Sequence, residues 1–200
     1  MEIKQYIVGG FATNVYLAYS TETKDAFIVD PADAFDALDR DVKALGLHVR
    51  YIIITHGHGD HTGGIHHFSD LYPDAELVFS HAERHFIFNR DLSMGKGGYV
   101  ADIEVKDGDI LQVGDMPLSF IDTPGHTPGG MCIRCGNILF AGDTLFQASV
   151  GRTDFKGGDG DLLIRSITEK LFVLPDEVTV LPGHGPSTTI GFEKRYNPFV

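Results

Sequence analysis

Short apolar runs bounded by turn residues alternate along this chain with stretches whose apolar positions recur at helical spacing. Residues 3–8, 14–19 and 26–30 read as strands, the last two joined by a polar turn over 20–25. After Pro31 the period changes. Phe35, Leu38, Val42 and Leu45 recur every three or four positions, predicting a helix over 33–45 closed by Gly46. A strand over 49–54, a helix over 62–71, a strand over 77–80 and a helix over about 81–89 follow. Residues 91–98 hold three glycines and no apolar period, which predicts a mobile loop. Its Gly95-Lys96-Gly97-Gly98 run lacks the spacing of a phosphate-binding loop. Strands at 103–105, 110–113, 118–122, 131–134 and 138–141 come next, then a helix over about 160–172, a strand over 178–181 and a closing helix over 187–195. Strands dominate, with helices in both halves. Two sheets with helices on their outer faces would cover every apolar surface, an α/β (α+β) fold. No linker or shift of composition divides the chain, so residues 1–200 read as one domain.

Composition narrows the classes. With 200 residues, 42% of them hydrophobic and 22% charged, the chain can bury a sizeable core. No apolar run approaches the roughly twenty residues that span a bilayer. The first residues lack a charged segment leading into an apolar one, so a cytoplasmic protein with no membrane partner is expected. The net charge of −12, from 16 basic and 28 acidic residues, weighs against nucleic acid as a partner. A small anion held by one or two local cations remains compatible. Nothing in the pattern specifies an oligomeric state. Cys132 and Cys135 form a CxxC, but strand positions three apart face opposite sides, so the pair reads as free structural thiols.

The candidate chemistry begins at Thr55-His56-Gly57-His58-Gly59-Asp60-His61, directly after the apolar run 51–54. Three imidazoles and a carboxylate in seven residues suit zinc, iron or manganese. In an extended segment His56 and His58 point the same way and can share one ion, with Gly57 and Gly59 expected to let the backbone turn sharply. Three further apolar strands end within a few residues of a potential ligand: His126, Asp143 and His184. Loops on a sheet scaffold are where sites are built. If these ends share one rim, His56, His58 and His126 would take one ion, Asp60, His61 and His184 a second, and Asp143 would bridge them. Two such ions sharing a hydroxide make a hydrolytic site. Asp30 and Asp122, each at a strand end, read equally as an acceptor behind a ligating imidazole or as a turn carboxylate. His66, His67, His81 and His85 read as non-ligands, and His48 as exposed.

The THxHxDH run, the later DTPGHT, the GDTLF segment and the PGHG near the end together resemble the metallo-β-lactamase-fold hydrolases over nearly the whole chain. Gly151-Arg152-Thr153-Asp154-Phe155, the tail 183–191 and Asn197-Pro198-Phe199 are similar to the glyoxalase II-like hydroxyacylglutathione hydrolases. The resemblance implies a four-layer αββα sandwich with the seven ligands at one edge. It implies two divalent ions, zinc first and iron or manganese otherwise, and hydrolysis of a small thioester such as hydroxyacyl-glutathione. Asp60 is then expected both to hold an ion and to orient the attacking hydroxide. Arg152 falls where such enzymes hold a substrate carboxylate, and Lys156 follows on the same glycine-flanked loop. Sixteen residues follow His184, short of the helical region that full-length members add, so the short bacterial type is expected. Alternatives are a mononuclear-iron persulfide dioxygenase on the same fold, a lactonase or β-lactamase, a nuclease, and a metal-stabilised module without catalysis.

Overall fold

The computed structural model describes residues 1–200. In the first sheet, β1 (Glu2–Val8), β2 (Thr13–Tyr19) and β3 (Asp25–Val29) pair antiparallel. After α1 (Asp36–Leu45), β4 (His48–Ile54) joins β3 in parallel. Two short helices, α2 (Gly59–Thr62) and α3 (Ile65–Leu71), lead to β5 (Glu76–Ser80). Two more, α4 (Arg84–Phe88) and α5 (Arg90–Ser93), lead to β6 (Ile103–Val105) at the sheet's edge. The second sheet begins with β7 (Ile110–Val113), β8 (Met116–Asp122), β9 (Met131–Cys135) and β10 (Ile138–Gly142), paired antiparallel in sequence order. A small hairpin of β11 (Leu145–Phe146) and β12 (Ser149–Val150) follows, then α6 (Gly160–Ser166). Next, β13 (Thr179–Pro182) pairs parallel with β10, β14 (Thr188–Thr189) pairs antiparallel with β13, and α7 (Ile190–Tyr196) closes the chain.

Three apolar clusters define four layers. One packs Leu38 and Val42 of α1 and Phe68 of α3 onto Leu17, Ile28, Ile52 and Phe79 of the first sheet. The second lies between the sheets, where Phe27, Ile53 and Val78 meet Leu118, Phe120, Ile133 and Phe140. The third packs Leu163, Ile167 and Leu171 onto Leu139, Ala141 and Val180 on the far face of the second sheet. Strand alternation explains the sorting: Ile53 faces one way, Ile52 and Ile54 the other, which is why β4 reads as a continuous apolar run. The expected αββα sandwich is the observed fold. Cys132 and Cys135 sit in different clusters on opposite faces of β9, as alternation predicts, and both are free thiols.

The differences lie where tertiary contacts override local pattern. The helix predicted over 62–71 is broken at Gly63 and Gly64, because the backbone of 31–33 crosses there. A Cβ on Gly63 would lie 2.3 Å from the Ala32 carbonyl oxygen, and one on Gly64 would lie 2.5 Å from that of Asp33. The same crossing accompanies the later start of α1, at Asp36 rather than 33. Within the loop predicted over 91–98, α5 forms a turn capped by the Asn89 side chain, which accepts from the Asp91 and Leu92 N–H groups. The helix predicted to 172 stays α-helical to Ser166 and widens to a π turn over Ile167–Leu171. The closing helix starts after the short β14, and the β11–β12 hairpin carries no apolar run long enough to predict it.

At one edge the sheets are joined directly. The Asn14 N–H donates to the Gly183 carbonyl (2.7 Å), the Met131 N–H to that of Thr55 (3.0 Å), and the Tyr16 hydroxyl to that of Pro182 (2.7 Å). This is the rim where β4, β8, β10 and β13 end.

Candidate metal centre

Beyond β4 the chain bends at Thr55 and His56, is extended at His58 and then enters α2, which places Asp60 and His61. Gly57 and Gly59 adopt no left-handed backbone. They are required instead by close packing of the segment 86–95. A Cβ on Gly57 would lie 3.0 Å from the Ile87 Cα, and one on Gly59 would lie 2.6 Å from the Met94 carbonyl oxygen. The expected reason for these glycines, a sharp turn, is thus replaced by clearance.

All seven predicted donor residues converge at the rim. His56 Nε2 and His58 Nδ1 lie 3.2 and 2.9 Å from His126 Nε2. In the second group His184 Nε2 lies 3.2 Å from His61 Nε2 and 3.2 Å from an Asp60 oxygen. Asp143 stands between the groups, one oxygen 3.4 Å from His61 Nε2 and the other 3.5 Å from His126 Nε2 and 3.6 Å from His184 Nε2.

The hydrogen bonds behind the rings set their tautomers. His126 Nδ1–H donates to the Arg152 carbonyl (2.7 Å), His184 Nδ1–H to that of Phe11 (3.1 Å), and His61 Nδ1–H to Asp30 (2.9 Å). The Thr55 hydroxyl donates to Asp30 (2.7 Å), so it accepts from His56 Nδ1–H (3.1 Å). In their neutral forms these four rings turn an unprotonated Nε2 inward. Lone pairs of His56 and His126, both kept neutral by burial, then face each other at 3.2 Å. Neutral nitrogens in that arrangement repel unless positive charge lies between them, and one buried oxygen of Asp143 also lacks any partner. The donor set fits divalent cations.

The electrostatics agree. Burial, reinforced by neighbouring imidazoles, pushes His56 well below its ordinary pKa. Burial likewise takes His58 to about 4, so both rings are neutral at pH 7. Burial acts the same way on His61, but the Asp143 and Asp30 carboxylates outweigh it and raise its pKa well above the ordinary value. That position attracts positive charge. Burial alone would raise Asp60, yet His184 and His61 hold it well below the usual carboxylate range, so it serves as an acceptor.

Asp30 resolves as the acceptor behind His61 and Thr55. Asp122 does not: it contacts no imidazole of the centre. His66 and His67 stay outside the donor groups, and His81 pairs with Glu104. Arg152 lies beside the centre, but its guanidinium is engaged by both oxygens of Asp154 at 2.7 Å and stacks over Phe155. Lys156 is exposed and contacts none of the seven. Phe155 and Phe86 wall the His58 ring, at 5.8 and 5.3 Å between centroids.

Sequence reasoning missed Glu83. Fully buried, it accepts from the Gly57 N–H (2.8 Å) and the Gly129 N–H (2.7 Å), joining the loops that carry His56, His58 and His126. No local pattern marks it, since its partners lie 26 and 46 positions away.

Comparison with known proteins adds independent findings. Residues 8–184 match the family described as the Metallo-beta-lactamase superfamily. The hydroxyacylglutathione hydrolase GloC of Haemophilus influenzae is 34% identical over 210 residues, covering all of this chain and 98% of that protein. The mitochondrial persulfide dioxygenase ETHE1 of Bos taurus is 32% identical over 195 residues, covering 93% of this chain and 70% of that one. The crystal structure of BLEG-1 B3 metallo-beta-lactamase superposes with a TM-score of 0.92 at 36% identity, covering 99% of each chain.

Proposed function

This chain belongs to the metallo-beta-lactamase superfamily, and on that premise we propose that it is a metal-dependent hydrolase of small thioesters of the hydroxyacyl-glutathione kind. The observation that carries the reading is the completeness of both donor groups, His56, His58 and His126 on one side and Asp60, His61 and His184 on the other, with Asp143 between. These seven residues would hold divalent cations, which when bound would supply a water of lowered pKa and polarisation of an acyl carbonyl. Zinc suits the nitrogen-rich donor set, as do iron and manganese.

The protein's own groups then divide the work. Asp60, ionised by its imidazole neighbours, accepts a hydrogen bond from the attacking water and orients it. Asp30 and Thr55 hold the His61 and His56 rings in the tautomers described above. Phe86 and Phe155 keep water from the His58 side. A C–O bond forms at the acyl carbon, the C–S bond breaks, and the thiolate leaves. A thiolate needs little acid assistance, whereas an amide or lactam nitrogen needs a proton. No Lys, Arg or Tyr side chain is hydrogen-bonded to any of the seven donors, which favours the thioester. The similarity to GloC supports the same choice.

The relationship to ETHE1 supports a rival, persulfide oxidation. Metal analysis of the purified protein, run beside assays on S-D-lactoylglutathione and on glutathione persulfide, separates the two. Two metals per chain with thioester hydrolysis are expected, and Asp60→Asn should lower kcat by about 100-fold or more. One iron per chain with persulfide-dependent oxygen uptake and no thioester hydrolysis would overturn the reading.

A further inference from the structure

Beside the donor groups, on the Asp60 side, lies a cavity of about 750 Å³. That volume suits a ligand of tripeptide size. Asp60 is part of its lining, so a molecule bound there lies against one of the seven donors. Its wall also carries Arg90, Lys96 and Asp33, with Phe11 and Met94 as exposed apolar contacts.

Neither cation on this wall is engaged by a carboxylate. Arg90 forms no ion pair. Lys96 donates to the Gly63 carbonyl at 3.3 Å and likewise lacks a carboxylate partner. Arg152, whose carbonyl accepts from the His126 ring and which does not line this cavity, is engaged by Asp154.

The segment bearing Arg90 and Lys96 is fixed against the motif itself. A Cβ on Gly95 would lie 2.7 Å from the Gly59 Cα, one on Gly97 would lie 2.9 Å from the Arg90 Cα, and the Tyr99 hydroxyl donates to the Thr62 carbonyl at 3.1 Å. The backbone that carries both cations is therefore held in place relative to Asp60.

We infer that this cavity binds the thiol half of the substrate, a zwitterionic peptide thiol with two carboxylates and an ammonium, through Arg90 and Lys96 for the carboxylates and Asp33 for the ammonium. The inference rests on the thioesterase reading and names its recognition site. Guanidinium and ammonium groups are the natural partners of carboxylates. Asp33 on the same wall disfavours a thiol carrying only phosphates.

The test uses Arg90→Ala, Lys96→Ala and the double variant, with Arg90→Lys as a charge-retaining control. Steady-state rates on S-D-lactoylglutathione and on a neutral S-acyl-N-acetylcysteamine thioester give the preference ratio of kcat/KM. That ratio should fall at least tenfold in the double variant, through KM, and Arg90→Lys should recover part of it. Calorimetric titration of S-methylglutathione into metal-free protein gives a readout independent of turnover, and its Kd should rise at least tenfold. Unchanged Kd and unchanged preference in the double variant would overturn the inference while leaving the hydrolase intact. A wild-type protein that hydrolyses no thioester would instead remove the thioesterase reading, with the titration still reporting on the cavity. Stronger binding of coenzyme A than of S-methylglutathione would assign the cavity to a phosphate-bearing thiol and overturn the choice made here.

Discussion

Glu83 makes no hydrogen bond to any of the seven donors, yet its two oxygens hold both loops that present three of them. Burial pushes its carboxyl from the ordinary 4.5 up to about 7, while the two backbone N–H groups pull the other way. The folded protein thus keeps this proton over a range where the unfolded chain has released it. The contribution of Glu83 to stability is full below pH 4.5 and is lost as the pH rises through about 7. Glu83→Gln cannot titrate, and it turns an amide NH2 towards one of the two N–H donors, which costs about 1–3 kcal/mol. Urea unfolding should find the variant less stable than wild type, with the gap widest near about pH 5 and narrower by about pH 8. A gap that stays flat across that range would show that the carboxyl does not titrate there. The burial that gives this residue its role also hides it from sequence reading. The seven donors were legible because histidines and aspartates recur at strand ends, whereas Glu83 occupies an ordinary position before a short helix and Arg90 and Lys96 lie in a stretch with no period.

Among the elements, those whose apolar pattern faces a core on its own terms were legible, with ends shifted by a few residues. Strand β4 reads correctly because Ile52, Ile53 and Ile54 serve two cores at once. Helix α1 reads correctly in its body because Leu38 and Val42 share one face. The break between α2 and α3 was not legible, because it depends on where residues 31–33 pass. Its test is a single methyl group. Gly63→Ala places a Cβ 2.3 Å from the Ala32 carbonyl, a backbone atom that cannot swing aside. The expected cost is about 1–3 kcal/mol in urea unfolding, the range for overpacking in a tight contact. Gly10→Ala meets nothing within 4 Å and should be neutral or slightly stabilising. Equal stability of the two variants would mean that the crossing does not dictate the break.

For the whole molecule, the centre is where the two sheets are joined. His56, His58, Asp60 and His61 follow a strand of the first sheet, while His126, Asp143 and His184 follow strands of the second. Three backbone and side-chain hydrogen bonds tie the same rim. Cations held by donors from both halves would cross-link the layers, so their removal should weaken the entire fold rather than fray one loop. Without them, the inward lone pairs of His56 and His126 are left facing each other at 3.2 Å. An ion that binds only the folded state adds about 2.7 kcal/mol at a free concentration of 100 Kd and about 4.1 at 1,000 Kd. Chelation, followed by removal of the chelator and confirmed by metal analysis, should therefore lower the unfolding free energy by a few kcal/mol in one cooperative transition. Adding zinc back should restore it. Hydrogen exchange should speed up at β4 and at β10 and β13 together, since each carries donors to the same centre. Faster exchange confined to 55–61, with an unchanged midpoint for the rest, would show that the donors close a local loop and leave the sandwich to stand on its three apolar cores.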